Sequence, residues 1–265
     1  MAALLTCRNL VHATLRCLES LFGQVVTDIE LDAFLVDAGS TDGAAGAIVQ
    51  RFPQVNVVPR GDDLYWRGGT RVTLVQGCEE AVDYYLGRYD DVVLDADALA
   101  TWLTARVAVD DARRPPSIAV GSTRDLAMER VTYGDVVRSD PLQRLRNELV
   151  VPEDQPQPAE IMNGNCVLVP REVFARIGTL VSVDTHGMAD FDYGHRARRA
   201  GCEVWVAPGT VGTCPRNEPV PEAASLVEHG RRASLRRPDC RLGSGWPKHV
   251  VGLVQSGSRT PSAPS

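Results

Sequence analysis

Short apolar runs and amphipathic stretches alternate along the first 122 residues of this chain. Apolar runs of strand length occur at residues 2–6, 31–36, 55–58, 83–86, 92–94 and 118–122. Helix-forming stretches separate several of them, at residues 14–22, 44–52, 71–82 and 98–109. Because strands that alternate with helices usually pair in parallel, this pattern predicts an α/β protein with a mostly parallel sheet.

The second half of the chain has a less regular pattern. Residues 124–160 are charged, turn-rich and weakly patterned. A strand is predicted at 166–169, a helix at 171–177 opened by Pro170, a helix at 193–200 and a strand at 203–207. The pattern fades after residue 208, and the Ser-, Pro- and Gly-rich residues 256–265 are predicted to be a disordered tail.

Acidic residues stand at three places that the pattern puts just after an apolar strand. They are Asp37, the pair Asp90 and Asp91, and Asp190 with Asp192. Because the carboxyl ends of parallel strands meet at one edge of a sheet, we expect these carboxylates to lie close together. Mg²⁺ and Mn²⁺ prefer carboxylate and phosphate oxygens, which suits a nucleotide diphosphate held through a divalent cation. Neither of the common glycine-rich phosphate motifs is present, so metal and loop are expected to hold the phosphates.

The turn from Asp37 to Gly43 is the clearest of these places. It follows an apolar run, precedes a predicted helix, and contains Gly39 and Gly43, which tolerate unusual backbone angles. Its polar side chains are typical helix caps. On its own, the turn is explained equally well as a capped strand–helix connection or as one wall of a ligand site.

Composition narrows the class of protein. The chain has 265 residues, a formal net charge of −6 and seven cysteines without a C-x-x-C pair. A nucleic-acid surface, a disulfide framework and a structural zinc site are therefore not expected. No apolar run reaches the roughly 18 residues that a membrane span needs. These features predict a cytoplasmic protein.

In combination, several segments resemble the family 2 glycosyltransferases of the GT-A fold, and in particular rhamnosyltransferases. The resemblance covers residues 2–215 and is carried by the following segments: Leu5-Thr6-Cys7-Arg8-Asn9, Val36-Asp37-Ala38-Gly39-Ser40-Thr41-Asp42-Gly43, Asp63-Leu64-Tyr65-Trp66-Arg67-Gly68-Gly69, Tyr89-Asp90-Asp91 to Leu99, Asn163-Gly164-Asn165 to Ile177, and Asp190-Phe191-Asp192-Tyr193 to Gly201. It implies a Rossmann-like three-layer α/β/α fold. It also implies a nucleotide-binding half at about 1–122 and an acceptor half at about 123–215, followed by a helical extension at 216–255.

The resemblance assigns roles to residues along the expected carboxyl edge. Asp37 matches the residue that accepts a hydrogen bond from the donor's base, and Asp190 matches the general base of inverting transfer. Asp192 is expected to support the loop or cap the helix, or else to contact the acceptor or the metal. His186, by its position before this loop and not by the resemblance, is a candidate contact to the acceptor or the metal, although a lone loop histidine is more often neither. Donor-binding positions are also implied for a larger group: Thr6, Arg8, Gly39, Ser40, Tyr65, Trp66, Arg67, Gly69, Asp90, Asn163, Gly164 and Asn165. Taken alone, Arg67 would instead be a surface arginine paired with Asp62 or Asp63.

The metal ligand has two candidates. Asp95-Ala96-Asp97 has the literal D-x-D form, but the family's usual spacing fits Tyr89-Asp90-Asp91 to Leu99 without a gap. That fit makes Asp91 the ligand of Mg²⁺ or Mn²⁺ and leaves Asp97, the alternative, as a helix cap. Relatives often have a histidine after the last strand, whereas residues 212–217 here contain none.

The resemblance implies a nucleotide-diphospho-sugar donor of the UDP or dTDP type and an acceptor that is a glycan, a lipid-linked intermediate or a small molecule. The basic, amphipathic residues 216–255 suit either a solvated bracing helix or peripheral contact with the inner face of an anionic membrane. Both a monomer and a homodimer are compatible with the sequence. A sugar-1-phosphate nucleotidyltransferase is not favoured, because its glycine-rich signature is missing after the first strand. A catalytically degenerate GT-A domain acting as a binding partner is the alternative function.

Overall fold

The strands at the centre of the protein are apolar on both faces, as strands of a parallel sheet covered on both sides must be. A computed structural model describes residues 1–26, 29–60, 82–109, 115–127, 130–138, 147–180 and 189–216. The strands in this part of the chain are β1 (Ala2–Cys7), β2 (Asp32–Ala38), β3 (Val55–Arg60), β4 (Tyr84–Arg88), β5 (Val93–Leu94), β6 (Ser117–Arg124), β7 (Val131–Tyr133), β8 (Val136–Arg138), β9 (Asn147–Leu149), β10 (Gln157–Pro158), β11 (Cys166–Pro170) and β12 (Glu203–Thr213). The helices are α1 (Val11–Phe22), α2 (Ala44–Arg51), α3 (Ala98–Val109), α4 (Arg171–Ile177) and α5 (Ala189–Arg199).

One large mixed sheet organises the described residues. Its strand order is β10-β12-β6-β11-β4-β1-β2-β3, with β5 paired to β12 and β7 paired to β6. Strands β3, β2, β1 and β4 are mutually parallel, and β6 is parallel to β12. Strand β11 lies antiparallel between these two groups and joins β4 to β6. A separate hairpin pairs β8 with β9.

Successive side chains along each strand point to opposite faces of the sheet, which divides the interior into two cores. In β1, Ala3 and Leu5 pack into one core, together with residues of α1, α2 and α3. Ala2 and Leu4 point to the opposite face and pack with residues of α4 and α5. Side chains that alternate in this way give the three-layer α/β/α arrangement that the sequence predicts.

Helix α1 begins earlier than its apolar pattern predicts because a distant side chain caps it. The Asp42 carboxylate accepts hydrogen bonds from the backbone N–H of Val11 at 2.9 Å and of Ala44 at 3.1 Å. It therefore satisfies one N–H group at the start of α1 and one at the start of α2. This contact ties the loop after β1 to the loop after β2, which brings two segments of the predicted site together.

Two predicted boundaries are wrong, and one segment contains strands that the sequence did not predict. Strand β12 runs to Thr213 and not to 207, because register shifts after Val206 carry it past Pro208 and Gly209. Helix α5 begins at Ala189 and not at 193, with two acidic residues in its first turn and three arginines in its last. Strands β7 to β10 form within residues 124–160, where the sequence predicted no element.

Residues Met1–Arg216 form one compact unit. The predicted boundary between the two halves of the domain, at residues 122 and 123, falls within β6. The predicted helix at 71–82, the extension at 216–255 and the tail at 256–265 lie wholly or almost wholly outside the described residues. Among the described helices, none has the length and apolar character needed to cross a membrane.

Candidate active site

The turn after β2 is built around the Asp37 side chain. Asp37 is 7% exposed, and its Oδ1 accepts a hydrogen bond from the Ser40 backbone N–H at 3.0 Å. Gly39 and Gly43 have φ angles of 75° and 81°, which lie in the left-handed region that glycine favours. The Asp37 carboxylate is thus fixed at the carboxyl end of β2, and its turn has the geometry that the sequence predicts.

The loop after β1 packs against this turn through polar contacts. The Asn9 backbone N–H donates to Ser40 Oγ at 3.1 Å, and Asn9 Oδ1 accepts from the Thr41 N–H at 2.7 Å. Thr6 is buried, and its hydroxyl oxygen has no hydrogen-bond partner among the described residues. Arg8 is exposed beside it. Two predicted donor-binding segments therefore form one continuous wall.

The acidic turn after β4 stands next to that wall. Thr14 Oγ1 donates to Asp90 Oδ2 at 3.3 Å. Burial, and then the neighbouring Asp91 carboxylate, raise the pKa of Asp90 to about 7. Burial also raises the pKa of Asp91. Two adjacent, partly desolvated carboxylates leave negative charge at this point that a bound cation would compensate.

A buried arginine at the end of β4 lies two residues before Asp90. Arg88 is 1% exposed, and its Nη2 donates to the carbonyl oxygens of Cys17 and Val92. Its Nε and Nη1 have no hydrogen-bond partner among the described residues. Burial raises the pKa of Asp91, and the positive charge of the Arg88 guanidinium offsets part of that rise. The sequence pattern gave no reason to expect an arginine inside β4.

The turn formed by Asn163, Gly164 and Asn165 connects the acidic turn after β4 to the Asp190 carboxylate. The Asn165 carbonyl oxygen accepts from the Tyr89 N–H at 3.1 Å. The Gly164 N–H donates to Asp190 Oδ2 at 3.0 Å, and Asn163 Oδ1 accepts from the Asn165 N–H at 3.0 Å. This turn therefore contacts Tyr89, which directly precedes the acidic pair, and Asp190.

Asp190 occupies the first turn of α5, not a loop after a strand as the sequence pattern suggested. It is 6% exposed, and its Oδ1 accepts from the Phe191 N–H at 3.0 Å. Burial raises its pKa above the ordinary carboxyl value. Helix α5 packs closely enough that a Cβ on Gly194 would lie 2.4 Å from the Met162 backbone nitrogen. Backbone-to-backbone packing thus holds the helix that carries Asp190.

Tyr89 is influenced both by the acidic turn after β4 and by Asp190. The pKa of its hydroxyl is raised by burial and then by the charges of Asp190, Tyr133 and Asp91, in that order. The Tyr89 N–H also donates to the Asn165 carbonyl oxygen, and the Gly164 N–H donates to Asp190 Oδ2, so one short turn contacts both Tyr89 and Asp190.

The other acidic candidates have different surroundings. Asp95 is bound to Arg124, with oxygen–nitrogen distances of 2.6 and 2.9 Å. Asp97 is exposed at the start of α3, where its carbonyl oxygen accepts from the Thr101 N–H. Asp192 is half-buried and accepts from Arg196 Nε at 2.7 Å. Tyr65, Trp66, Arg67, Gly69 and His186 lie outside the described residues.

Sequence reasoning missed a third buried carboxylate close to the site. Asp135 is fully buried between β7 and β8, and its Oδ1 accepts from the Val136 N–H at 2.7 Å. Its Oδ2 has no partner among the described residues. Burial, with a smaller contribution from Asp190, raises the pKa of Asp135 to about 8. Its segment is weakly patterned, so no sequence signal singled it out.

This raised pKa predicts a pH-dependent stability. The folded state binds the Asp135 proton more tightly than the unfolded state, so the stability that this proton contributes is lost as pH rises from about 4 to about 8. We expect Asp135→Asn to unfold at a higher temperature than the unsubstituted chain at pH 8.5, by an amount equivalent to about 1–3 kcal/mol. The difference should shrink steadily as the pH falls and should disappear at about pH 4. Thermal unfolding followed by circular dichroism across this range tests it, and parallel curves would contradict it.

A cysteine also faces the acidic turn. Cys214 follows β12, and its Sγ lies 3.5 Å from Asp91 Oδ1. The sequence registered the absence of histidine here but gave Cys214 no role. Among the described residues, no three or more His, Cys, Asp or Glu side chains gather as a metal site. The oxygen ligands at Asp90 and Asp91 nonetheless fit a divalent cation that takes its remaining ligands from phosphate and water.

Two curated relatives match the chain. It is 28% identical over 198 residues to N-acetylglucosaminyl-diphospho-decaprenol L-rhamnosyltransferase of Mycobacterium tuberculosis, in strains CDC 1551 / Oshkosh and ATCC 25618 / H37Rv. The match covers 67% of this chain and 64% of each relative, so the chain spans less than two thirds of their length. No family model matches the chain.

Solved structures with the same fold include two with bound nucleotide-sugars. Mannosyltransferase PcManGT from Pyrobaculum calidifontis, in complex with GDP-Man and Mn²⁺, has a TM-score of 0.54 at 18% identity, over 89% of this chain and 64% of that one. S. aureus TarS 1-349, in complex with UDP-GlcNAc, has a TM-score of 0.57 at 11% identity, over 84% and 60%. The predicted GT-A fold and the resemblance to glycosyltransferases are confirmed.

Proposed function

We propose that the chain is an inverting glycosyltransferase, which moves a sugar from a nucleotide-diphospho-sugar to an acceptor hydroxyl. The observation that supports this most directly is the short chain of contacts between the acidic turn and Asp190: the Tyr89 N–H donates to the Asn165 carbonyl oxygen, and the Gly164 N–H donates to Asp190 Oδ2. A donor diphosphate at Asp91 would place its sugar towards Asp190. The rhamnosyltransferase activity in the relatives' name supports the same reaction class.

Asp190 is the general base in this proposal. Its desolvated carboxylate has a raised pKa, which brings it closer to the operating pH that favours proton removal from a hydroxyl. Hydrogen bonds from the Gly164 and Phe191 N–H groups fix both oxygens and limit how the carboxylate can turn. The acceptor hydroxyl would give its proton to Asp190 as its oxygen attacks the anomeric carbon.

In this proposal, the wall formed by the loops after β1 and β2 binds the donor. Asp37 is the base-recognising residue of this wall, because its fixed carboxylate can accept a hydrogen bond from a ring N–H of uracil or thymine. Thr6, Arg8, Gly39 and Ser40 line the same wall, and Asp90, Asn163, Gly164 and Asn165 continue it towards the phosphates. The buried Thr6 hydroxyl and Asn165 amide have no partner among the described residues, which suits groups that await a ligand.

A divalent cation completes the site, with Asp91 as its protein ligand. When bound, the cation neutralises the charge that develops on the leaving nucleotide diphosphate. The Mn²⁺ in the mannosyltransferase complex supports this choice of cofactor. Asp192 supports α5 through Arg196. His186 is kept as a candidate contact to the acceptor or the metal because the sequence places it just before α5.

The relatives' name indicates the first substrates to try. It specifies an L-rhamnosyl group and an acceptor linked to decaprenol through a diphosphate. We therefore propose a UDP- or dTDP-linked donor and a lipid-linked acceptor, with reaction at the cytoplasmic face of a membrane. Peripheral membrane contact would follow from such an acceptor.

A thermal-shift experiment tests the proposed function. With Mn²⁺ present, UDP or dTDP at a hundred times its Kd is expected to stabilise the chain by about 2.7 kcal/mol, which raises Tm by several degrees. Mn²⁺ alone and the matching nucleoside monophosphate serve as controls and should have much smaller effects. If no nucleotide diphosphate raises Tm, the proposal fails and a degenerate GT-A domain becomes the better description.

A further inference from the structure

The thiol of Cys214 and the carboxylate of Asp91 are placed as neighbouring ligands of one ion would be. Their sulfur and oxygen atoms are 3.5 Å apart, although 123 residues separate them along the chain. Oxygen and sulfur ligands lie about 2.1 and 2.3 Å from a bound transition metal, so at angles of roughly 90–110° they are about 3.1–3.6 Å from each other. The separation in this protein falls within that range.

The position of Cys214 is fixed by backbone contacts. Its N–H donates to the Arg124 carbonyl oxygen at 3.1 Å, and Thr213 pairs with Val93 two residues after the acidic turn. Cys214 is 1% exposed. A sulfur atom held in this way approaches the acidic turn without a loop movement, which is the preorganisation that a metal ligand needs.

A second observation points to a ligand at the same place. Asn165 is 1% exposed, and neither its Oδ1 nor its Nδ2 has a hydrogen-bond partner among the described residues. Burial and then the Asp91 charge raise the pKa of the Cys214 thiol, and the nearby Asn165 amide offsets part of that rise. Buried polar atoms without partners are uncommon in proteins, and an amide oxygen is a normal ligand for a hard cation.

We propose that Cys214 is a ligand of the site's divalent cation, binding through its sulfur beside Asp91, with Asn165 Oδ1 as a further ligand. This rests on the proposed function, because the cation is the one that holds the donor diphosphate. The thiol proton leaves to solvent as the sulfur–metal bond forms. The chemical consequence is a preference for cations that accept sulfur more readily, such as Co²⁺ or Zn²⁺, over Mg²⁺.

Cobalt provides a direct readout of sulfur ligation. The full chain is titrated with Co²⁺ in the presence of UDP or dTDP under reducing conditions, and the near-ultraviolet spectrum is recorded. We expect a sulfur-to-cobalt charge-transfer band that saturates with one ion per chain. Cys214→Ser should lose this band and bind Co²⁺ at least about tenfold more weakly, with a smaller change for Mg²⁺.

Cys202→Ser is the matched control. Cys202 is also a buried, free cysteine, but it precedes β12 at the end opposite Cys214. The Cys202 variant should keep the band and the Co²⁺ affinity. Circular dichroism shows whether each variant is folded, and the spectrum of the unsubstituted chain is informative even if the Cys214 variant does not fold.

Two results would overturn the proposal. One is Co²⁺ binding without the band in the unsubstituted chain, which would leave Cys214 as a thiol that donates a hydrogen bond to Asp91. The other is a band that survives in Cys214→Ser. In both cases, Co²⁺-dependent stabilisation by the nucleotide diphosphate would show that the proposed function stands, whereas no nucleotide-dependent stabilisation would remove both proposals.

Discussion

Replacing Asp190 with asparagine is expected to lower kcat/KM for sugar transfer by about 10²–10⁴, the contribution typical of a general base. Asparagine has nearly the same shape, and its oxygen can still accept one of the two backbone N–H groups that now contact the carboxylate. It cannot remove a proton from the acceptor. Initial rates with a nucleotide-rhamnose donor and a lipid-linked acceptor measure the loss.

Donor binding separates a lost base from a damaged site. The asparagine variant should bind UDP or dTDP with an unchanged Kd, because Asp190 does not contact the nucleotide in our proposal. Asp192→Asn, two residues along α5, should affect transfer far less, since its partly exposed ion pair with Arg196 contributes at most about 1 kcal/mol. A variant that keeps a tenth or more of the transfer rate would exclude Asp190 as the base.

The pH profile gives a second test of the same residue. Because burial raises the pKa of Asp190, the rate of the unsubstituted enzyme should fall with decreasing pH at values above the ordinary carboxyl pKa. The residual activity of the asparagine variant should not show this acidic limb.

Replacing Asp91 with alanine is expected to weaken Mn²⁺-dependent binding of the nucleotide diphosphate by at least about tenfold, whereas Asp97→Ala should leave it nearly unchanged. Asp91 is half-buried at the end of β4 and contacts the Cys214 sulfur. Asp97 is exposed at the start of α3, and removing a cap there costs about 1 kcal/mol of stability. Calorimetric titration with and without Mn²⁺ measures both.

The comparison between metal and no metal makes this test specific. Without Mn²⁺, the Asp91 variant should bind the nucleotide about as well as the unsubstituted chain, or better, because a negative charge next to the diphosphate has been removed. A larger loss for Asp97→Ala than for Asp91→Ala would show that the literal Asp95-Ala96-Asp97 motif holds the metal. The ion pair between Asp95 and Arg124 would then have to open.

The local sequence pattern was sufficient to predict where two of the helices begin. Helix α4 begins after Pro170 and α3 begins after Asp97, at the residues predicted from capping preferences. The spacing of the acidic motif favours Asp91 over Asp97 as the metal ligand, which stays a prediction; in the structure Asp91 is half-buried and Asp97 is exposed. The start of a helix and the spacing of the acidic motif depend only on residues that are close together in the chain, so both can be predicted from a single sequence.

Features created by distant contacts were not predictable. The early start of α1 depends on Asp42, which is 31 residues away. The burial of Asp135 depends on packing around a hairpin whose strands show no clear alternation, and a lone Asp in a polar segment looks solvent-exposed. Arg88 is inside the protein only because carbonyl oxygens of Cys17 and Val92 converge on it. Each of these three features requires knowledge of the tertiary structure, because no periodicity in the sequence identifies the distant residues that make the contact.

The antiparallel position of β11 has a consequence during synthesis of the chain. Strand β4 needs β11 on one edge, with Arg88 opposite Cys166, and about 80 residues separate the two strands. Ribosomes add roughly 5–20 residues per second, so β11 is made about 4–16 s after β4. For that time the nascent sheet has an open edge at β4, where another chain can pair. The aggregation risk of this protein therefore lies in the interval before β11 emerges.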